Sequence, residues 1–327
     1  MKTHYLVTAA LAALAALALG SCTREKADID GKPVEVNVTI LGTAPTRATS
    51  VTYDNESKVG NLQVYVFNNG KLEDYQDAGA AMTAQLTATS GERTVWALVN
   101  APTLKDVSTE TELQAKVSQL TDNKTDSFVM SGSTKQELKD GGTVPVTVKR
   151  LVSRVSVKKI STEFQYALAG ETLTIDGIYL INVAGDNTYA ADGTPGTWVN
   201  QLGHKDNGLD ALLYDKLTST TVTNEKPYEK EHVFYPYPNP TKDDNYDASW
   251  TPRHTLLIVE VTFESKKGYY PVVLPVLERN KTYVIDELVI RHRPGDVPYK
   301  PIETGDATVQ ITVNEWELGL NMGKITL

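Results

Sequence analysis

The chain has 327 residues, 40% hydrophobic and 22% charged, with a formal net charge of −9. That composition supports packed cores in roughly two domains and excludes a mostly disordered chain. One cysteine and five histidines in an acidic chain exclude a disulfide scaffold, a zinc–cysteine module and the basic stripe of a nucleic-acid binder.

Lys2 and His4 precede a Leu/Ala-rich run from Tyr5 to Leu19. The run is short for a membrane helix and suits a signal-peptide core. It ends in Leu19-Gly20-Ser21-Cys22, which is similar to a bacterial lipobox. Small residues fit a peptidase cleft and the thiol can carry lipid. Residues 1–21 are therefore expected to be a lipoprotein signal, with Cys22 lipidated and the outer membrane contacted through that lipid.

Beyond Cys22 the dominant pattern is alternation with a period of two, the mark of half-buried strands. Val34, Val36, Val38 and Ile40 alternate with polar residues. Leu62 to Phe67 does the same and runs into Asn68-Asn69-Gly70, a turn signal. Further strands are predicted over 93–100, 144–148, 153–160, 173–183, 254–263, 269–277, 282–290 and 308–313. One segment differs: Thr109-Glu-Thr-Glu112 forms a capping box, with Leu113, Val117 and Leu120 following at helical spacing. The expected class is all-β, two β-sandwich domains in series with one short helix, divided near Arg150 to Arg154. The stretch from Tyr235 to Pro252, rich in Pro, Tyr and Asp, reads as a long loop ordered by its aromatics.

Chemistry is sparse. His204, His232, His254 and His292 stand far apart, so no metal site is signalled. The chain has no nucleophile elbow and no phosphate-cradling glycine loop. No catalytic residue, metal or cofactor is expected, and the chain does not read as an enzyme.

Two segments carry a mechanism instead. Leu41 to Ser50 is small, polar and contains Pro45 and one basic residue, Arg47. Such a segment is open to proteases, and a cut between Arg47 and Ala48 would leave the strand of Val34, Val36, Val38 and Ile40 without its covalent link to the remainder. The sheet edges it covers would then recruit a strand from another chain. At the other end Val309, Ile311 and Val313 alternate, Trp316, Leu318 and Leu320 follow, and Ile325 and Leu327 finish the chain. Either this segment pairs within its own sheet, or it fills the groove of a neighbour.

The ordered set of pieces resembles the fimbrillin family, the FimA-type major fimbrial subunits of Bacteroidales that build type V pili. It comprises the lipobox, the Arg47-Ala48 site, Leu62-Gln-Val-Tyr-Val-Phe67, Trp96-Ala-Leu-Val-Asn-Ala-Pro102, Lys149-Arg-Leu-Val-Ser-Arg-Val155, Leu277-Glu-Arg-Asn-Lys-Thr-Tyr283, Arg293-Pro-Gly295 and the terminal Trp316 strand. The resemblance implies two sandwiches, the first transthyretin-like, and a lipoprotein precursor cut after Arg47 by an arginine-specific protease. It further implies polymerisation with the C-terminal strand as donor. The expected division is 1–21 signal, 22–47 removable segment, 48–152 first domain and 153–327 second domain. Expected partners are further copies of the chain, related fimbrial subunits, the protease, and a host protein or glycan receptor; nucleic acid is not among them. A donor strand burying about five apolar side chains at roughly 1.5–3 kcal/mol each offers on the order of 10 kcal/mol before ordering costs. The alternatives are an anchor or tip component of the same fibre, or a surface lipoprotein binding glycans through loops such as Tyr235 to Trp250.

Overall fold

The computed structural model describes residues 31–42, 56–104, 106–191, 193–302, 312–316 and 324–326. The N-terminal half contains β1 (Pro33–Leu41), β2 (Leu62–Asn68), β3 (Lys71–Asp77), β4 (Thr83–Thr89) and β5 (Gly91–Val99). After these come α1 (Glu110–Ala115), β6 (Val117–Gln119), β7 (Met130–Leu138), β8 (Gly142–Thr147) and β9 (Lys149–Arg150). All of these strands except β6 form two facing sheets, in the orders β4-β1-β8 and β3-β2-β5-β7-β9.

Between them lies a core that draws only on residues 34 to 148, among them Val36, Val38, Leu86, Val146, Leu62, Val64, Val95 and Leu138. The alternation of β2 explains why it is buried along its whole length. Leu62, Val64 and Val66 face this core, while Tyr65 and Phe67 face a second, larger one.

The larger core is shared with the C-terminal half. There β10 (Arg154–Val157), β11 (Ile160–Thr162), β12 (Leu173–Ile181), β13 (Val183–Ala184), β14 (Asp186–Thr188) and β15 (Trp198–Val199) precede a second short helix, α2 (Asp210–Leu213). Then follow β16 (Tyr214–Val222), β17 (His232–Phe234), β18 (Leu256–Phe263), β19 (Lys266–Val273), β20 (Lys281–Ile285), β21 (Glu287–Ile290), β22 (Thr312–Glu315) and β23 (Lys324–Thr326). The sheet β16-β12-β18-β19 packs through Ile175, Ile178, Val259 and Val272 against the sheets β17-β10-β20-β22 and β11-β21-β23, which supply Val155, Phe234, Tyr283 and Leu288. The chain passes from one sandwich to the other between Arg150 and Arg154, with Leu151 and Val152 fully buried at the crossing.

The predicted helix starts where expected. Thr109 caps it, accepting from the Glu112 backbone N–H, while Glu112 reaches back to the cap. It stops at Ala115, short of Leu120, because Val117–Gln119 pairs antiparallel with β14. A strand pairing outcompetes one more turn of helix, and Val117 is left 47% exposed. The expectation of a single helix is corrected by α2. Strands β3, β4 and β7 went unpredicted because their residues are polar or small, as in Thr83-Ala-Gln-Leu-Thr-Ala-Thr89. Sheet partners, not apolar content, hold them extended.

Candidate functional site

The first strand occupies a special position. β1 is the middle strand of its sheet, antiparallel to β4 through pairs such as Val36↔Leu86 and parallel to β8 through Val38↔Val144. Its burial alternates, with Val34, Val36, Val38 and Ile40 at 6% exposure or less. Burying four such side chains is worth about 6–12 kcal/mol. Backbone bonds fasten both ends: Ser90 N donates to Lys32 O (2.8 Å), Gly141 N to Glu35 O (2.9 Å) and Val148 N to Leu41 O (2.9 Å). A strand held on two sides does not leave spontaneously. Its loss would expose the inner edges of both β4 and β8.

The C-terminal segment lies on its own half. Thr312–Glu315 pairs antiparallel with β20, and Lys324–Thr326 pairs parallel with β21. Both are short edge strands, each with one partner among the described residues. Val313 and Ile325 fall within them. The remaining predicted site residues, Cys22, Arg47, Ala48, Val309, Ile311, Leu318, Leu320 and Leu327, lie outside the described residues.

Trp316 directly follows the first of these strands and enters a socket between the two sandwiches. Its indole Nε1 donates to Glu56 Oε2 (3.1 Å). The Tyr235 ring stacks on it at 5.9 Å, Phe128 meets it edge-on at 6.0 Å, and the Arg150 guanidinium carbon lies 4.6 Å from its centroid. The other oxygen of Glu56 accepts from Tyr235 Oη (2.6 Å) and Arg154 Nε (3.3 Å). Arg150 completes the arrangement by donating from Nε to the Glu56 carbonyl (2.9 Å) and from Nη2 to Ser57 Oγ (2.8 Å).

The sequence pieces around 149–155 and 277–283 therefore meet in space. Asn280 Oδ1 accepts from the Arg150 backbone N–H (3.2 Å), and the Asn280 carbonyl accepts from Trp316 N (3.0 Å). Arg279 reaches the carbonyls of Arg150 (3.2 Å) and Ser131 (2.9 Å). Burial disfavours its charged form and draws its pKa down to about 10. Burial likewise pushes the Tyr283 phenol up to about 12. Glu56 and Phe128 carry no sequence signal, since each is an ordinary residue until the fold places it beside Trp316, whereas Asn280 lies in the 277–283 piece without its role being marked there.

The Tyr235–Pro252 loop is ordered by its aromatics, as expected, and by one arginine that follows it. Tyr235 and Tyr237 are buried, and Tyr237 Oη donates to Ser118 Oγ (2.8 Å) and accepts from Asn123 Nδ2 (2.9 Å). Neither ring is free to stack on a sugar. The loop is centred on Arg253, fully enclosed, whose guanidinium donates to the carbonyls of Asp247 (3.0 Å), Ser249 (2.6 Å) and Thr251 (3.0 Å). Among the described residues no group of three His, Cys, Asp or Glu side chains is arranged to hold a metal. No helix among them is long and apolar enough to cross a membrane.

Residues 33–164 match the family model of the major fimbrial subunit protein (FimA). The match begins at the first residue of β1 and ends just beyond β11. That stretch thereby resembles a family of structural fimbrial subunits, not of enzymes. No curated protein matches the chain. Among solved structures, the fold is similar to a candidate cell adhesion protein of Bacteroides eggerthii DSM 20697, at 17% identity and TM-score 0.64, covering 92% of this chain and 98% of that one. It is also similar to a fimbrilin of Porphyromonas gingivalis W83, at 14% identity and TM-score 0.60, covering 90% and 97%. The C-terminally truncated tip fimbrial protein Mfa3 of Porphyromonas gingivalis aligns at 14% identity and TM-score 0.53, covering 87% and 100%. These likenesses establish the all-β fimbrilin fold.

Proposed function

We propose that this chain, similar to the fimbrial subunit family over residues 33–164, is a structural subunit of a surface fimbrium that contributes to adhesion. It is exported to the outer membrane as a lipoprotein on Cys22. An arginine-specific protease cuts between Arg47 and Ala48. Residues 22–47 depart with β1, and the C-terminal strand of another copy takes that place. The working subunit is then 48–327, with domains 48–152 and 153–327.

One observation carries this reading. β1 is a buried central strand whose covalent link to the remaining sandwich runs through the segment that holds Arg47. Cutting there turns an internal strand into a bound peptide that another strand of the same pattern can displace. The donor candidates are short edge strands, the cheapest elements of a sandwich to detach. A head-to-tail exchange of this kind grows an open filament, not a closed ring.

The test is to treat unlipidated precursor with a trypsin-like protease and look for ladders that resist SDS at room temperature. Arg47→Ala should abolish them, and normal assembly by Arg47→Ala would overturn the mechanism. Sequencing the mature N-terminus separates positions in the fibre. Ala48 identifies a shaft subunit, whereas acylated Cys22 identifies an anchor.

A further inference from the structure

The two parts of the chain that the proposed function sets in motion are both held at the short stretch 148–150, one through its backbone and the other through the Arg150 side chain. Val148 N donates to the carbonyl of Leu41, the last residue of β1 (2.9 Å). Two residues later, Arg150 Nε donates to the carbonyl of Glu56 (2.9 Å). The chain thus leaves β1 and returns at Glu56 on the same short stretch, 148–150, and Arg47 lies on the excursion between these points. Glu56 and Arg150 are also the residues that grip Trp316, 260 positions from Glu56 in sequence.

We infer that Glu56 is a positioning residue that latches the C-terminal segment to the uncut protein. The inference rests on the proposed assembly and adds its order of events. Glu56 is 12% exposed and Arg150 is 4% exposed, so the Glu56 carboxylate is held in a partly dry site by Arg154, Tyr235 and Trp316. While the chain is continuous, residue 56 is tethered through 43–55 to the end of β1, which keeps it close to its partners. A cut within that tether makes Glu56 a residue near a free terminus. Its unseated state gains chain entropy and the grip on Trp316 weakens. Trp316 directly follows β22, so its release loosens that edge strand. The donor strand is then freed in the subunit that has also lost its hold on β1. Uncut precursors keep their C-terminal segments in place and do not polymerise early.

The test is hydrogen exchange on unlipidated full-length precursor, read at the amides of 312–316 with those of β5 as internal control. Glu56→Ala should speed exchange at 312–316 by about ten-fold or more, the effect of losing a hydrogen bond to a charged group. Exchange in β5 should stay unchanged. Trp316→Phe, which keeps a ring but removes the donor, should act in the same direction. Cutting wild-type protein with a trypsin-like protease in dilute solution should produce the same local acceleration before subunits meet. Unchanged exchange at 312–316 in Glu56→Ala, or after cutting, overturns the latch, as does an acceleration equal in β5. SDS-resistant ladders report separately on assembly. A latch that opens on cutting without ladders sinks the polymerisation reading alone, and ladders from a protein whose 312–316 exchange never changes sink the latch alone.

Discussion

Asn280 grips Arg150 twice, its Oδ1 accepting from the Arg150 backbone N–H at 3.2 Å and from Nη1 at 3.3 Å. Asn280 is 3% exposed and adopts a left-handed backbone with φ of 55°, a conformation Asn tolerates better than most residues. Asn280→Ala removes the acceptor from two buried donors and adds backbone strain, together about 2–4 kcal/mol. The midpoint of denaturant unfolding should fall accordingly. Asn280→Gly should lose less, because it relieves the strain while still lacking the acceptor.

A tighter constraint sits at Gly132 in β7. A Cβ there would lie 2.0 Å from the Thr147 carbonyl oxygen and 2.8 Å from its carbon. Both are backbone atoms at the end of β8, where the two sheets of the first sandwich approach, so no rotamer change relieves the overlap. Gly132→Ala should cost about 3 kcal/mol or more. Its measurable consequence is loss of soluble folded protein or a large drop in Tm.

Ile40 discriminates between precursor and fibre. It is 1% exposed in β1, so Ile40→Ala should destabilise the uncut protein by about 2–5 kcal/mol. If β1 leaves during assembly, polymers from this variant should dissociate at the same temperature as wild type. An equal loss of stability in polymer and precursor would mean that β1 stays in the fibre.

The buried phenols set an alkaline limit. Tyr283 Oη donates to the Val276 carbonyl (3.1 Å) and therefore needs its proton. Burial pushes its pKa up to about 12, does the same for Tyr189, and raises Tyr65, Tyr179, Tyr237 and Tyr270 still further. A folded pKa above the unfolded value near 10 means the folded state binds more protons in that window. The associated stability is complete below pH about 10 and is lost as pH rises through about 12. Phenolate absorbance of these residues should appear together with the loss of β-sheet circular dichroism, not before it.

Arg253 governs the long loop after β17. Arg253→Met keeps much of the apolar stem and removes the donors to the Asp247, Ser249 and Thr251 carbonyls. The loop should loosen at a cost of about 2–3 kcal/mol. Limited trypsin digestion should then cut at the exposed Lys242 several-fold faster than in wild-type protein.

Alternation by itself determined much of this protein. Val34 to Ile40 places its apolar residues on one face because a strand repeats every two residues, whatever surrounds it. The capping box at Thr109 likewise placed a helix start, since its bonds close within four residues. The order of sequence pieces, from the lipobox to the terminal tryptophan, carried the family resemblance. What local pattern could not supply was partnership. Polar β3 and β7 are strands because β2 and β5 lie beside them, and the helix after Thr109 stops because β14 offers β6 a ladder. Only the tertiary structure brought Glu56, Phe128, Arg150, Tyr235 and Asn280 around Trp316. Those contacts join residues as far as 260 positions apart, and such long-range pairing leaves no periodic trace in the chain. The opposite ends of the chain are thus coupled by packing and hydrogen bonds that exist only once both sandwiches have closed on their shared core.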